Sequence, residues 1–238
     1  MFSYEYDLKI RTNDLDKNDH MTPKALLSIF QDAAGEHALK GGFGYEDSLK
    51  QNVFWMVVRN KVELFRQPEA FEILHMVTWP EKSGRIETNR NYKLLDKEGN
   101  IVAQGISKWV NVDVNTRRIV RAMKLDIKEE EYVQEKLYDD LPKIEDFTID
   151  MNSLKMTSSS YTDLDHNGHV NNTNYADYIL NTIEELQNKE FTSFEINYIK
   201  EVKAYSQVQI GYIRENNIYK IKGFVDDELC FSAIIKIK

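Results

Sequence analysis

The residue types best suited to catalysis lie together in one stretch, from Asp163 to Asn172, with the sequence Asp-Leu-Asp-His-Asn-Gly-His-Val-Asn-Asn. An extended chain points successive side chains to opposite faces. We therefore expect Asp165, Asn167 and His169 to share one side of this stretch. A carboxylate, an amide and an imidazole on one edge can activate a nucleophile and polarise a carbonyl, which is the chemistry of acyl transfer.

A helix is predicted directly after this stretch. Asn171 or Asn172 is expected to be its N-cap, because a short amide side chain accepts from the free N–H groups of a first turn. Apolar side chains then recur at helical spacing, at Tyr175, Tyr178, Ile179, Ile183 and Leu186. A helix N-terminus would stabilise a substrate oxygen, so Asn171 and Asn172 are candidate substrate-binding residues.

The stretch has a partner earlier in the chain. Asp14 to His20 matches Asp163 to His169 at five of seven positions, 149 residues apart. A second helix is predicted there, with Thr22 as N-cap and Pro23 at the first helical position. A repeated motif followed each time by a helix favours internal duplication.

Strand-like segments follow each predicted helix, at 53–65, 71–79, 85–95 and 101–114 and then at 194–204, 207–214, 218–225 and 229–237. Each half is therefore expected to be a strand, one long helix and an antiparallel meander. A sheet wrapped around the helix would bury its apolar face, which makes the fold class α+β. The predicted units are residues 1–121 and 151–238, joined by an acidic, solvated linker at 122–150 with at most one helix.

The composition excludes several classes of protein. A formal net charge of −8 argues against nucleic acid or an anionic membrane as a partner. No apolar run approaches the ~18 residues needed to span a membrane, and the single cysteine cannot form an internal disulfide. A cytoplasmic location is expected.

Metal sites are not expected either. Asp163, Asp165, Asn167 and Gly168 imitate the opening of a calcium loop, but Asn174 stands where a bidentate glutamate is required. Five histidines and one cysteine offer no zinc set of the usual spacing.

The duplicated helix-and-meander pattern resembles the acyl-acyl carrier protein thioesterases. The similarity includes the Asn-x-His-Val-Asn-Asn element, the strand from Trp55 to Arg59 and the segment from Asn115 to Arg118. The resemblance implies a tandem, or double, hotdog fold and hydrolysis of fatty acyl-acyl carrier protein in fatty acid biosynthesis, with no cofactor. The alternatives are an acyl-coenzyme A thioesterase of the same fold and a non-catalytic acyl-binding or regulatory module.

The family's functional acid lies after the second helix in a Tyr-x-basic-Glu pattern, which Tyr198 to Glu201 matches. The implied catalytic set is Asp165, Asn167, His169 and Glu201. Plant relatives often carry a cysteine after this glutamate; Val202 stands here, so a thiol nucleophile at that position is excluded. Cys230 is expected to be a packed, inert thiol.

These residues suit thioester hydrolysis. A leaving thiol with a pKa near ~8.5 needs little help from an acid, so the site must supply a base for water and donors for the oxyanion. Glu201 would be a usable base if it were enclosed in a largely apolar cleft, and His169 is the other possibility. Asn167 is the expected donor, and Asp165 could position the groups or act as nucleophile.

The first copy is expected to be structural. Aligning Phe54 with Phe194 places Lys61 opposite Glu201, so this copy lacks the acid. It would instead wall the acyl pocket, with Phe30, Trp55 and Met56 as candidate substrate-binding residues.

The expected partner is acyl carrier protein bearing a phosphopantetheine-linked acyl chain. Because this carrier is acidic, docking requires a local basic patch, which we expect at Arg117, Arg118, Arg121 and Lys124. A homodimer is possible, although the duplication already provides a pair of units.

Overall fold

The computed structural model describes residues 2–123, 125, 127–165 and 168–238. The helices are α1 (Pro23–Lys40), α2 (Tyr45–Lys50) and α3 (Asn174–Thr182). The strands are β1 (Tyr4–Lys9), β2 (Val53–Leu64), β3 (Ile73–Pro80), β4 (Glu87–Leu95), β5 (Ile101–Asp113), β6 (Ile119–Val120), β7 (Lys155–Ser158), β8 (Phe191–Tyr198), β9 (Gln207–Glu215), β10 (Ile218–Val225) and β11 (Glu228–Ile237). None of the described helices is both long and apolar enough to cross a membrane.

The strands that the structure describes form one antiparallel sheet in the order β1-β3-β4-β5-β2-β8-β11-β10-β9-β7, with β6 on β5. The strands before residue 121 occupy one half of this order, and those after residue 150 occupy the other. The halves meet where β2 pairs with β8, from Arg59 opposite Asn197 to Glu63 opposite Ser193. The sheet is therefore continuous across the junction of the two repeats.

The two long helices pack on one face of this sheet. Helix α1 buries Leu26, Phe30 and Ala33, and α3 buries Tyr175 and Ile179. The Phe30 ring stacks on Tyr92 with ring centroids 4.7 Å apart. A Cβ at Gly105 would lie 2.6 Å from this ring and 2.7 Å from the Lys61 carbonyl oxygen, so only glycine allows so close an approach.

The first helix begins where the sequence predicts, whereas the second differs. Thr22 caps α1, its side chain accepting from Ala25 N–H at 3.1 Å. The prediction of Asn171 or Asn172 as N-cap of α3 is wrong, because Thr173 occupies that position. Asn171 instead folds the preceding turn, and its Oδ1 accepts from the Thr173 N–H at 2.9 Å.

In both copies the described ends of the motif bond to each other, so the expected extended course from one end to the other is wrong. In the first copy Leu15 bridges Met21, and the Asp16 N–H donates to the His20 carbonyl at 2.8 Å. In the second copy Leu164 bridges Val170, and the Asp165 N–H donates to the His169 carbonyl at 2.9 Å. The same bonds recur 149 positions on, which is the geometric counterpart of the sequence repeat.

Strand β8 ends earlier than predicted. The expected strand at 194–204 stops at Tyr198. Ile199 and Lys200 both direct their N–H groups to the Cys230 carbonyl, at 2.8 and 3.0 Å, which bends the chain out of the ladder. Glu201 therefore lies on a loop rather than on a strand.

The acidic linker lies along the face of the sheet opposite the helices. Its described part contains a 3-10 turn at Glu129–Glu131 and no α-helix. It is also less solvated than predicted, because Leu141 is buried and its carbonyl accepts from the Arg59 guanidinium at 2.9 Å. Lys108 pairs with Asp140 at 2.8 Å. The proposed unit boundaries at 121 and 150 stay predictions.

Candidate active site

Three side chains converge at the edge where the two halves meet. His169 Nε2 lies 3.2 Å from Glu201 Oε2. Arg117 Nη2 lies 3.2 Å from each Glu201 carboxylate oxygen and 3.3 Å from His169 Nε2. The sequence predicted the meeting of His169 and Glu201. It did not predict that Arg117, from the first half of the chain, would complete the cluster.

His169 is positioned by the short loop of the second repeat. The Gly168 N–H donates to the Asp165 carbonyl at 3.0 Å, and Gly168 has a φ of +78°, which favours glycine. The Val170 N–H then bonds to the Val202 carbonyl at 3.3 Å. This bond ties the histidine loop to the segment that carries Glu201.

Glu201 is held between two buried anchors. On one side, the Cys230 carbonyl fixes the two residues before it. On the other, Val202 is fully buried, and its N–H donates to the Tyr175 hydroxyl at 3.1 Å. Since Tyr175 lies in the first turn of α3, the start of the helix sets the position of Glu201.

Arg117 lies in the tight turn between β5 and β6. Its φ is 56°, in the left-handed region, and its N–H donates to the Asp113 carbonyl at 3.0 Å. Asp113 Oδ1 accepts from the backbone N–H of Thr116 at 2.7 Å and of Asn115 at 3.1 Å. The Thr116 backbone hydrogen bond is the main reason that the pKa of Asp113 lies below its usual value. The Arg117 guanidinium also lies 5.0 Å above the Phe54 ring.

The cluster is partly open to solvent. The side chains of Glu201 and Arg117 are 41% and 47% exposed, and that of His169 is 26% exposed. The condition under which Glu201 was considered a usable base, enclosure in a largely apolar cleft, is therefore not met, because an arginine and solvent flank its carboxylate. Charge pairing, rather than enclosure, is the dominant feature of its surroundings.

The other predicted catalytic residues are placed as follows. Asp165 lies on the wall of the pocket described below, at the start of the His169 loop. Asn167 lies outside the described residues, so its role stays a prediction.

The predicted helix N–H donors are partly used. Asn171 Oδ1 occupies the Thr173 N–H, and the Asn171 carbonyl accepts from the Asn174 N–H at 3.0 Å. Asn172 donates from Nδ2 to Gln31 Oε1 on α1. Its carbonyl accepts from the Tyr198 hydroxyl at 3.0 Å. Asn171 thus stabilises the turn, and Asn172 joins it to α1 and β8. The sequence did not predict this structural role.

A pocket of about 930 Å³ extends from this cluster into the first half of the molecule. Trp55 and Met56 line it as predicted, together with Phe54, Trp109 and Val112. The Trp55 indole N–H donates to the Phe43 carbonyl at 3.1 Å, which fixes the ring. Phe30 is buried against Tyr92 instead and does not line this pocket. The predominantly apolar wall suits an alkyl chain.

The predicted basic patch divides into two parts. Arg117 contacts Glu201 and belongs to the cluster. Arg118 and Arg121 are exposed, and neither side chain makes an ion pair within the described ranges. Lys124 lies outside the described residues.

The histidine of the first repeat also lies near acids, Asp16 in its own loop and Glu190 from the second half of the chain. His20 Nε2 lies 3.7 Å from Glu190 Oε1 and Nδ1 lies 3.9 Å from Asp16 Oδ2. Glu190 is also paired with Lys238, and Lys61, which the sequence aligned with Glu201, pairs with Glu63 at 3.5 Å elsewhere on β2. His20 does not line the large pocket. Of the two copies of the motif, the second is the one whose histidine opens onto a cavity able to hold a substrate.

A carboxylate, an imidazole and a guanidinium at the mouth of an apolar pocket can activate water against a bound acyl group. The carboxylate and imidazole can accept a proton, while the guanidinium offsets negative charge.

Comparisons with known proteins agree with this architecture. Residues 1–130 match the family model of the acyl-ACP thioesterase N-terminal domain, and residues 148–226 match that of the C-terminal domain. The oleoyl-acyl carrier protein thioesterase 2 of Arabidopsis thaliana is 27% identical over 223 residues, covering 84% of this chain and 60% of that protein. The dodecanoyl-[acyl-carrier-protein] hydrolase of Cinnamomum camphora is also 27% identical, over 84% of this chain and 56% of that protein. The chain thus spans about 60% of the length of such relatives.

Two solved structures share the whole fold. An acyl-ACP thioesterase from Bacteroides thetaiotaomicron superposes with a TM-score of 0.87 at 24% identity, covering 100% of this chain and 98% of that one. The 12:0-ACP thioesterase from Umbellularia californica gives a TM-score of 0.80 at 20% identity, with the same coverage. The predicted double hotdog fold is confirmed.

Proposed function

Because the chain belongs to the acyl-ACP thioesterase family, we propose that it hydrolyses fatty acyl-acyl carrier protein to free fatty acid and carrier. The observation that carries this proposal is the 3.2 Å contact between His169 and Glu201 at the mouth of the 930 Å³ pocket. The apolar pocket takes the acyl chain and places the thioester carbonyl beside the pair.

In the proposed reaction, a water molecule attacks the carbonyl carbon while the His169–Glu201 pair accepts one of its protons. The tetrahedral intermediate then collapses, the carbon–sulfur bond breaks, and the pair returns the proton to the departing sulfur. A thiol with a pKa near ~8.5 is a good leaving group, so the attack on the carbonyl is the step that most needs the enzyme.

Arg117 would serve this reaction through charge and position. Its Nη2 contacts both Glu201 oxygens, so the carboxylate is held in one orientation toward His169. The same cation offsets the negative charge that develops as water attacks. Asn167 stays the predicted donor to the oxyanion.

We further propose that the carrier docks on the exposed Arg118 and Arg121, beside the pocket mouth formed in part by Arg117. A phosphopantetheine arm entering there would bring its thioester to His169. Because acyl carrier protein and coenzyme A are both acidic, charge alone does not separate them as substrates.

The test is thiol release from a pair of substrates that share one acyl chain, one on acyl carrier protein and one on coenzyme A. We expect free fatty acid from both, with the higher kcat/KM on the carrier protein. A higher kcat/KM on coenzyme A would favour the acyl-coenzyme A alternative. Tight acyl retention with no thiol released from either substrate would favour a binding module and overturn the proposed hydrolysis.

A further inference from the structure

One tyrosine hydroxyl lies beside the segments that carry Glu201 and His169. Tyr175 is in the first turn of α3, is only 3% exposed, and lines the acyl pocket. Its hydroxyl oxygen accepts from the Val202 N–H at 3.1 Å, and the Val202 carbonyl accepts from the Val170 N–H at 3.3 Å. The hydroxyl is therefore bonded to the residue after Glu201, and that residue is bonded to the one after His169.

The ring that carries this hydroxyl is held by two other aromatic rings. The Tyr175 ring meets Tyr198, at the end of β8, edge to face with centroids 5.3 Å apart. It meets the fully buried Phe231 of β11 in the same manner at 5.2 Å. Aromatic pairs prefer this arrangement, so the two contacts fix the direction of the ring. The hydroxyl therefore has a set position at the pocket wall.

The Tyr175 hydroxyl also has a hydrogen that it can donate. A phenol offers one O–H donor as well as acceptor lone pairs. The bond from the Val202 N–H uses a lone pair, and the hydrogen has no acceptor among the residues that the structure describes. The hydroxyls of Tyr198 and Tyr178, by contrast, both donate, at 3.0 and 2.8 Å. Because a buried donor without an acceptor is costly, the Tyr175 O–H is suited to a ligand that supplies one.

The hydroxyl stays protonated at neutral pH. Burial is the main reason that the pKa of Tyr175 is raised to about 12, and the neighbouring Cys230, Glu201 and Asp165 add to the effect. The hydrogen bond from the Val202 N–H acts in the opposite direction without cancelling it. At neutral pH the group is therefore an uncharged donor, which shares its hydrogen with an acceptor and does not lose it.

We propose that the Tyr175 hydroxyl donates a hydrogen bond to the carbonyl oxygen of the bound thioester. The inference rests on the proposed thioester hydrolysis and adds a donor to the one predicted at Asn167. As water attacks the carbonyl carbon, the oxygen becomes an oxyanion and the hydrogen bond to it strengthens, while the proton stays on the phenol oxygen. The carbonyl forms again when the carbon–sulfur bond breaks, and the sulfur takes its proton from the His169–Glu201 pair.

Removal of the hydroxyl should slow the reaction. Loss of one oxyanion donor lowers kcat by roughly 10²–10³-fold. Because the hydrogen bond is strongest in the transition state, Tyr175→Phe should lower kcat and kcat/KM together and leave KM nearly unchanged. Tyr178→Phe is the matched control, because its hydroxyl lies on the same helix but donates to Asp163 Oδ2 and does not line the pocket. This variant should keep a kcat close to that of the wild type.

The deciding measurement is the infrared stretching frequency of a bound carbonyl, because Tyr175→Phe also removes the bond that fixes the Glu201 segment. The probe is the ketone analogue of dodecanoyl-pantetheine, in which a methylene group replaces the sulfur and prevents hydrolysis, with an isotopic label on the carbonyl carbon. Spectra are compared for the wild type, Tyr175→Phe, Tyr178→Phe and a protein with a ring-fluorinated tyrosine in place of Tyr175. Fluorine makes the hydroxyl a stronger donor and a weaker acceptor, so it separates donation to the ligand from acceptance from Val202.

A hydrogen bond lowers the stretching frequency of the carbonyl that accepts it. We therefore expect the highest frequency in Tyr175→Phe, a lower one in the wild type and in Tyr178→Phe, and the lowest with the fluorinated tyrosine. The same frequency in all four proteins would overturn the proposal and leave Tyr175 with a structural role alone. The fluorinated tyrosine preserves the packing of the ring, so its comparison with the wild type decides even if Tyr175→Phe fails to fold. Absence of thioester hydrolysis by the wild type would overturn the proposed function instead.

Discussion

Replacing Arg117 with glutamine tests whether the third member of the cluster contributes to the reaction or is a surface residue without a catalytic role. The substitution removes a guanidinium that lies 3.2 Å from both Glu201 oxygens and 3.3 Å from His169 Nε2. Because Arg117 and Glu201 are both more than one-third exposed, solvent screens their attraction. The pair is therefore worth only about 0–1 kcal/mol in the free energy of unfolding.

The expected effect on catalysis is larger. Without Arg117, the Glu201 carboxylate loses the contact that fixes its orientation toward His169. A misplacement of about 1 Å costs roughly 10²-fold in rate, so we expect kcat to fall by about 10- to 100-fold. This corresponds to about 1.4–2.7 kcal/mol in the activation free energy.

The assay is hydrolysis of a small acyl-pantetheine thioester, with kcat and KM measured separately and thermal unfolding followed in parallel. This substrate avoids any contribution from carrier docking. Arg85→Gln is the control, because Arg85 is exposed and its side chain makes no ion pair within the described ranges. A wild-type kcat for Arg117→Gln, or an equal loss for Arg85→Gln, would refute the reasoning.

Two further predictions concern stability and docking. The unfolded chain binds a proton at His37 below pH ~6.5, while the buried imidazole stays neutral down to about pH 3. The wild type should therefore lose up to about 1.4 kcal/mol of unfolding free energy per pH unit in that window. Urea titrations of His37→Asn should show a smaller loss of unfolding free energy. Equal dependence of the unfolding free energy on pH in the two proteins would contradict this prediction. The double variant Arg118→Glu/Arg121→Glu should raise KM for the carrier-linked substrate more at low than at high salt, and a salt-independent KM would argue against docking there.

Local sequence signals were sufficient for most of the fold. Strand β10 begins and ends at the predicted residues because turns at 215–217 and 226–227 bound an alternating segment. The Thr22-Pro23 start of α1 and the 149-residue repeat were equally visible. Such features depend on residues close together in the chain, which is why one sequence reveals them.

The predictions that proved wrong concern segments whose backbone conformation depends on residues far away in the chain. Strand β8 stops at Tyr198 because the N–H groups of Ile199 and Lys200 both donate to the Cys230 carbonyl. No pattern in the neighbouring residues predicts these two hydrogen bonds. The residue types from Asp163 to His169 alternate as in a strand, yet Leu164 bridges Val170, which a strand cannot do. Asn171 serves the turn before α3 rather than capping the helix directly.

Only part of the site was predicted, because some of its contacts also join residues that are far apart in the chain. The motif and its family pattern brought His169 and Glu201 together, 32 positions apart. Arg117 lies 84 positions from Glu201, and its basic neighbours made it look like part of a docking patch. The sequence predicted Phe30 in the pocket wall. Its ring instead packs in the core, because Gly105 has no side chain to block it.

The central claim is that the pair of His169 and Glu201, rather than the pair of His20 and Glu190, carries out the reaction. The most direct measurement compares kcat/KM for acyl-acyl carrier protein in Glu201→Gln and in Glu190→Gln, which alters the acid 3.7 Å from His20. The account predicts a loss of at least ~10²-fold for Glu201→Gln and wild-type activity for Glu190→Gln. Wild-type activity in Glu201→Gln, or a comparable loss in Glu190→Gln, would contradict it.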